Sequence, residues 1–174
     1  QHYVKLLDED DPHAIEVMIE IAGFRMETGD WKTSEYLFDL TLVKARKVFG
    51  DENEQTFIAI CGAANVYQST GRREDVHALH MEAMKLLRDG KVVLNSTTIP
   101  AATTLAISLR AHNSENEFRE VVKLCSEAAT SLYSDDHSQQ TIIRGLALLA
   151  EEDFRLIRDL TPRLEESLKK EVQQ

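Results

Sequence analysis

The sequence predicts an all-α protein, an α-solenoid of antiparallel helix hairpins, on three observations. Ala22, Ala64 and Ala106 recur 42 positions apart. Gly29, Gly71 and Asn113 keep the same step. Around them apolar residues fall at i, i+3, i+4 and i+7 with no extended alternation, which is the pattern of one helix face. A fixed period of this length marks stacked repeats. Such stacks form long binding surfaces and seldom carry chemistry of their own.

Composition sets the outer limits. The chain has 174 residues, 43% hydrophobic and 29% charged, enough apolar material for one domain or a short solenoid and too much for wholesale disorder. No run of 18 or more apolar residues is present, so a membrane-spanning helix is not expected. The net charge of −10 argues against nucleic-acid binding, where lysine and arginine must neutralise phosphates, and suits a basic partner. Cys61 and Cys125 lie far apart in no metal-type spacing. A disulfide framework is therefore not indicated, and a reducing compartment, the cytoplasm, is the expectation.

Each repeat opens with a helix whose apolar stripe has a small residue at its centre. The first copy reads Met18, Ile21, Ala22, and the pattern fails at Arg25. The second reads Ile60, Ala63, Ala64, Tyr67, and the third Ala102, Leu105, Ala106, Leu109. The small side chain lets a neighbouring helix approach closely. Short turns follow at Thr28-Gly29-Asp30, Thr70-Gly71-Arg72 and Asn113-Ser114-Glu115. Glycine, and less often asparagine, ends a helix in the left-handed conformation, and turns this short make antiparallel hairpins.

The second helix of each pair carries its own apolar face. The first copy runs Trp31, Ser34, Leu37, Phe38, Thr41, Leu42, Ala45, Val48. The next runs Val76, Leu79, Ala83, Met84, Leu87, and the last Phe118, Val121, Val122, Cys125, Ala129. Between hairpins, Gly50 ends a helix ahead of Asp51, Glu52, Glu54 and Thr56, and Ser134 precedes Asp135, Asp136 and Thr141 in the same manner. Carboxylates there favour the helix dipole. The linker from Asp89 to Ser96 departs, with Gly90 two places early. Ser96 or Thr97 is expected to cap the next helix, with Pro100 in its first turn.

The expected organisation is a single domain over 1–174. Residues 1–12 close a preceding repeat, 13–54, 55–96 and 97–138 are repeats, and 139–174 form a partial repeat with a capping helix. Thr141 to Leu160 reads as one helix. Thr161-Pro162 opens the polar cap, with Glu165–Lys169 and Glu166–Lys170 pairs. On this reading the chain starts inside a repeat, as a piece of a longer array or a larger protein.

These residues resemble the tetratricopeptide repeat in its kinesin-light-chain-like, 42-residue form. Ala64, Tyr67 and Gly71 match the first-helix signature, Phe49-Gly50 with Thr56 matches its linker, and so does Tyr133-Ser134 with His137 and Thr141. Trp31 fills the aromatic place after Gly29. Ser34, Val76 and Phe118 replace the alanine of the second helix. The family's usual period is about 34, and about 40–47 suits other helical repeats such as HEAT or armadillo; the alanine–glycine signature favours the tetratricopeptide reading.

The resemblance implies a concave groove lined by the first helices. Its places map onto Glu16, Ile19, Gly23, Met26 and Glu27, then Ile58, Cys61, Asn65, Gln68 and Ser69, then Thr103, Ile107, Arg110 and Ala111. Asn65 and Gln68 each offer a donor and an acceptor to a peptide backbone, and Arg110 is the groove's lone cation. The implied function is non-catalytic capture of a protein or peptide partner, with self-association as the alternative. No cofactor or metal is expected. His77 and His80 stand three apart on one helix but lack further ligands in sequence. Cys61 has no histidine placed to activate it. No phosphate loop, nucleophile elbow or zinc motif is present.

Overall fold

Left-handed residues reverse the chain at the expected step. A computed structural model describes residues 10–132 of the protein. Gly29 has φ 79°, Gly71 φ 88° and Asn113 φ 60°. At each turn the next amide reaches back to a carbonyl five residues earlier: Asp30 N–H to Arg25 O, Arg72 N–H to Tyr67 O and Ser114 N–H to Leu109 O, all 2.9 Å. These bonds satisfy carbonyls that a helix end would otherwise leave orphaned.

Six helices run through the described residues: α1 (Pro12–Glu27), α2 (Trp31–Phe49), α3 (Glu54–Thr70), α4 (Arg73–Arg88), α5 (Thr98–Ala111) and α6 (Glu115–Leu132). They pair as the hairpins α1–α2, α3–α4 and α5–α6. The expected fold, an all-α solenoid of antiparallel hairpins, is the one observed. The expected helices beyond Thr141, their linker at Tyr133–Thr141 and the segment preceding Asp10 lie outside the described residues.

The core follows the small-residue stripe. Ala22, Ala64 and Ala106 have no exposed surface. Ser34, Val76 and Phe118, three different side chains at one repeat position, are likewise fully buried. Ser34 is satisfied there by donating its hydroxyl to Ala22 O at 2.8 Å. Gly62 shows how tight the fit is: a Cβ added there would lie 2.3 Å from the Phe38 ring, so the ring of α2 rests on bare backbone of α3. Trp31 departs from expectation. It begins α2 and is 39% exposed.

The linkers share a clasp. Thr56 donates its hydroxyl to Gly50 O at 2.7 Å, and Thr98, one repeat later, donates to Val93 O at 2.8 Å. Asn53 accepts Gln55 N–H at 2.8 Å, and Asn95 accepts Thr97 N–H at 2.8 Å and Thr98 N–H at 3.1 Å. The side chain that caps the start of α5 is thus Asn95, in register with Asn53, rather than Ser96 or Thr97. Its side-chain carbonyl closes an Asx turn over two amides at once. Pro100 does lie in the first turn of α5.

The two junctions between hairpins differ. At the first, α3 packs mainly on α2 and only lightly on α1. At the second, α5 packs mainly on α3 and barely touches α4. The longer, glycine-shifted linker after α4 carries the chain across, with Val92 buried beneath it and Lys91 N–H bonded to Leu86 O at 3.0 Å. Helix α3 therefore holds neighbours on nearly all sides. Replacing Ala64 by leucine should overpack this contact and cost about 1–3 kcal/mol, read as a lower urea midpoint at unchanged m-value.

Candidate functional site

Helices α1, α3 and α5 run side by side and leave a concave cleft of about 190 Å³ between them. Ile19, Gly23, Met26 and Glu27 form the α1 wall. Ile58 and Gly62 of α3 form the floor with the edge of Phe38, and Thr97, Pro100, Ala101 and Thr104 form the α5 wall. The cleft is open at the top and chiefly apolar.

Four of the expected groove residues, Ile19, Met26, Glu27 and Ile58, meet here, with Gly23 between them. Others do not. Cys61 has no exposed surface, since the leaning of α5 onto α3 covers that flank, so it cannot touch a ligand. Thr103 is also buried, its hydroxyl donating to Ile99 O at 2.9 Å. Asn65 donates its amide to Met26 Sδ at 3.2 Å. Gln68 clips α3 to α5: its Nε2 donates to Ala111 O at 3.4 Å and its Oε1 lies 3.3 Å from His112 Nδ1. Arg110 turns away from the cleft, pairing with Glu115 and lying 5.3 Å from the Phe118 ring. Glu16 lies 3.6 Å from His13 Nδ1, Ser69 is exposed with its hydroxyl on Asn65 O at 3.2 Å, and Ile107 is 47% exposed.

Sequence reasoning misses Phe38, Gly62, Thr97, Pro100, Ala101 and Thr104 as parts of the cleft. Pro100 and Thr104 stand one repeat after Ile58 and Gly62. Helices α3 and α5 thus present the same register to the cleft, while α1, on the opposite side of α3, presents a different one. A strict one-to-one mapping of groove places cannot show that change of flank. The signal available is Gly62 itself, a helix-interior glycine, which costs about 1 kcal/mol relative to alanine unless a neighbour needs the space.

Gly23 is a second helix-interior glycine with a different explanation. A Cβ built on it meets nothing within 4 Å. No contact inside the described residues requires its absence.

Three solved structures share this architecture. Two are crystal structures of a Podosopora anserina putative kinesin light chain with nearly identical TPR-like repeats, one of them a variant form. The variant matches at TM-score 0.62 and 14% identity, over 98% of this chain and 82% of that one. The other matches at 0.59 and 14%, with the same coverage. The third, BtubC (BKLC) from P. vanneervenii, matches at 0.57 and 10% identity, over 91% of this chain and 67% of that one. The fold is that of kinesin-light-chain-like tetratricopeptide repeats. No protein-family model matches the sequence, and no curated protein does.

Burial pushes the Cys61 thiol well up and the Cys125 thiol up to about 12, so neither is a ready nucleophile. Among the described residues no group of three or more His, Cys, Asp or Glu is arranged to hold a metal ion, and no helix is long and apolar enough to cross a membrane. A depression of about 450 Å³ on the outer side is walled by Met81, Glu82, Lys85, Arg88 and Asp89. Among the described residues, this lining belongs to α4 and its C-terminus.

His80 is a buried titratable group of the stack. It is 2% exposed, its Nε2 lies 2.9 Å from Ser108 Oγ, and its Nδ1 has no partner. His112 stands edge-on at 5.4 Å and stacks on His77 at 6.3 Å. Burial, helped by the charges of His112 and His77, pushes the His80 pKa down to about 4. A depressed imidazole gives stability that is complete above the unfolded value near 6.5 and is lost as pH falls toward 4, by up to about 3 kcal/mol. Chemical denaturation at stepped pH should show that loss, and His80→Gln should flatten it.

Proposed function

We propose that this protein is a non-catalytic interaction domain that holds a segment of a protein partner in the cleft between α1, α3 and α5. The cleft itself supports this most directly: an apolar, open trough crossing three helices, on a fold whose solved examples are repeat proteins. At about 190 Å³ it falls short of the roughly 300–1,000 Å³ of small-molecule sites. It is open, however, and large enough to receive a side chain from a partner segment.

Self-association has one observation in its favour. Phe24 and Tyr36 are each 60% exposed, and Trp31 of the same hairpin is 39% exposed. Exposed apolar side chains of that kind can join copies. Light scattering over a concentration series separates the two: a concentration-independent monomer mass excludes assembly.

The groove reading is tested by paired surface changes. Thr104→Arg with Ile58→Lys should reduce capture of the partner at least tenfold with helicity retained. Met81→Glu, on the outer face, should leave capture unchanged. Equal capture by both variants would remove the groove from the account.

A further inference from the structure

We infer that the cleft seats one bulky apolar side chain of a basic partner segment, with Gly23 as the point of closest approach; this rests on the groove reading above. The starting observation is the contrast between two helix-interior glycines. Gly62 is explained from within, because the Phe38 ring occupies the space a Cβ would need. Gly23 is helical and faces open space, so no contact in the described residues explains it. Glycine is used where a ligand must come close to backbone, and Gly23 lines the cleft.

The cavity dimensions name the first feature of the occupant. Ile19, Met26, Ile58 and Pro100 surround the Phe38 edge in a space sized for a single large side chain. Such a chain entering beside Gly23 is walled by apolar groups, with Thr104 at the rim.

Charge names the second feature. Glu16, Glu20, Gly23 and Glu27 follow one another at steps of four, three and four, which puts them on one stripe of α1. Neither Glu20 nor Glu27 has an ion-pair partner among the described residues. The three groove helices contain two arginines, Arg25 and Arg110, paired respectively with Asp30 and Glu115. The apolar notch therefore sits in an acidic stripe whose cations are engaged elsewhere. Lysines or arginines flanking the apolar residue complete the match. The net charge of −10 also speeds encounter with such a segment.

Fluorescence anisotropy with three labelled nonapeptides tests this. The first has lysines at alternate places around a central phenylalanine, the second replaces the phenylalanine by alanine, and the third replaces the lysines by glutamate. The first is expected to bind at least tenfold more tightly than either of the others. Gly23→Leu, which fills open space and improves the helix, should keep or raise the melting temperature and weaken the first peptide at least tenfold. Glu20→Lys with Glu27→Lys should weaken it by a similar factor and reduce its salt dependence. Equal affinity for the phenylalanine and alanine peptides, no effect of Gly23→Leu, or no binding of the first peptide at millimolar concentration would overturn the proposal. A benzophenone in place of the central ring distinguishes the two levels. Cross-links outside α1, α3 and α5 remove the groove reading as well. A captured partner that cross-links to the groove through an acidic segment removes only the basic, apolar chemistry.

Discussion

Close approach of helices around α3 is the constraint on which the stack depends. Ala59, Ala63 and Ala64 have no exposed surface, and Gly62 is buried among them. Small side chains at those places let α2, α4 and α5 come near enough to exclude water from the larger groups between them, Phe57 and Ile60 among them. Dense packing of this kind does not yield gradually, because added volume forces rotamers and backbone to move together. The groove inherits its shape from the same contact: Phe38 reaches the floor because Gly62 lets it through.

The junction after α4 gives the groove its third wall. Had α5 docked on α4 as α3 docks on α2, Pro100 and Thr104 would have no reason to face Ile19 across α3. The linker instead delivers α5 to α3, and the bonds from Gln68 to Ala111 and His112 hold it there. In consequence Gln68, a good peptide-binding residue by chemistry, becomes internal glue.

Much of the fold is legible because turns and small residues obey local rules. The step from Gly29 to Gly71 to Asn113 marks three reversals, and all three residues adopt positive φ. Asn95 escapes notice beside Ser96 and Thr97 because an asparagine that closes two amides looks, in sequence, like any linker residue. The site is less legible. Of the α1 residues expected in the groove, Ile19, Met26 and Glu27 line the cleft and Glu16 does not; periodicity alone assigns the face of a single helix. Cys61, Thr103, Gln68 and Arg110 are misplaced, since their surroundings depend on how one hairpin leans on another. That lean follows the linker between Arg88 and Thr98, where Gly90 falls two places short of the repeat step although Asn95 and Thr98 keep it.

The outer layer is laced by charge where the inner one is sealed by carbon. Arg46 of α2 grips Glu82 of α4 with both guanidinium nitrogens, at 2.6 and 2.7 Å, and Arg88, one repeat later, grips Glu120 of α6 at 2.9 Å through Nε. The Arg88 guanidinium holds the Glu120 carboxyl below the usual carboxylate range. Partly exposed bridges of this kind weaken as salt rises, whereas apolar contacts do not. Rising ionic strength therefore loosens the outer ties between second helices before it touches the sealed contacts beneath the trough.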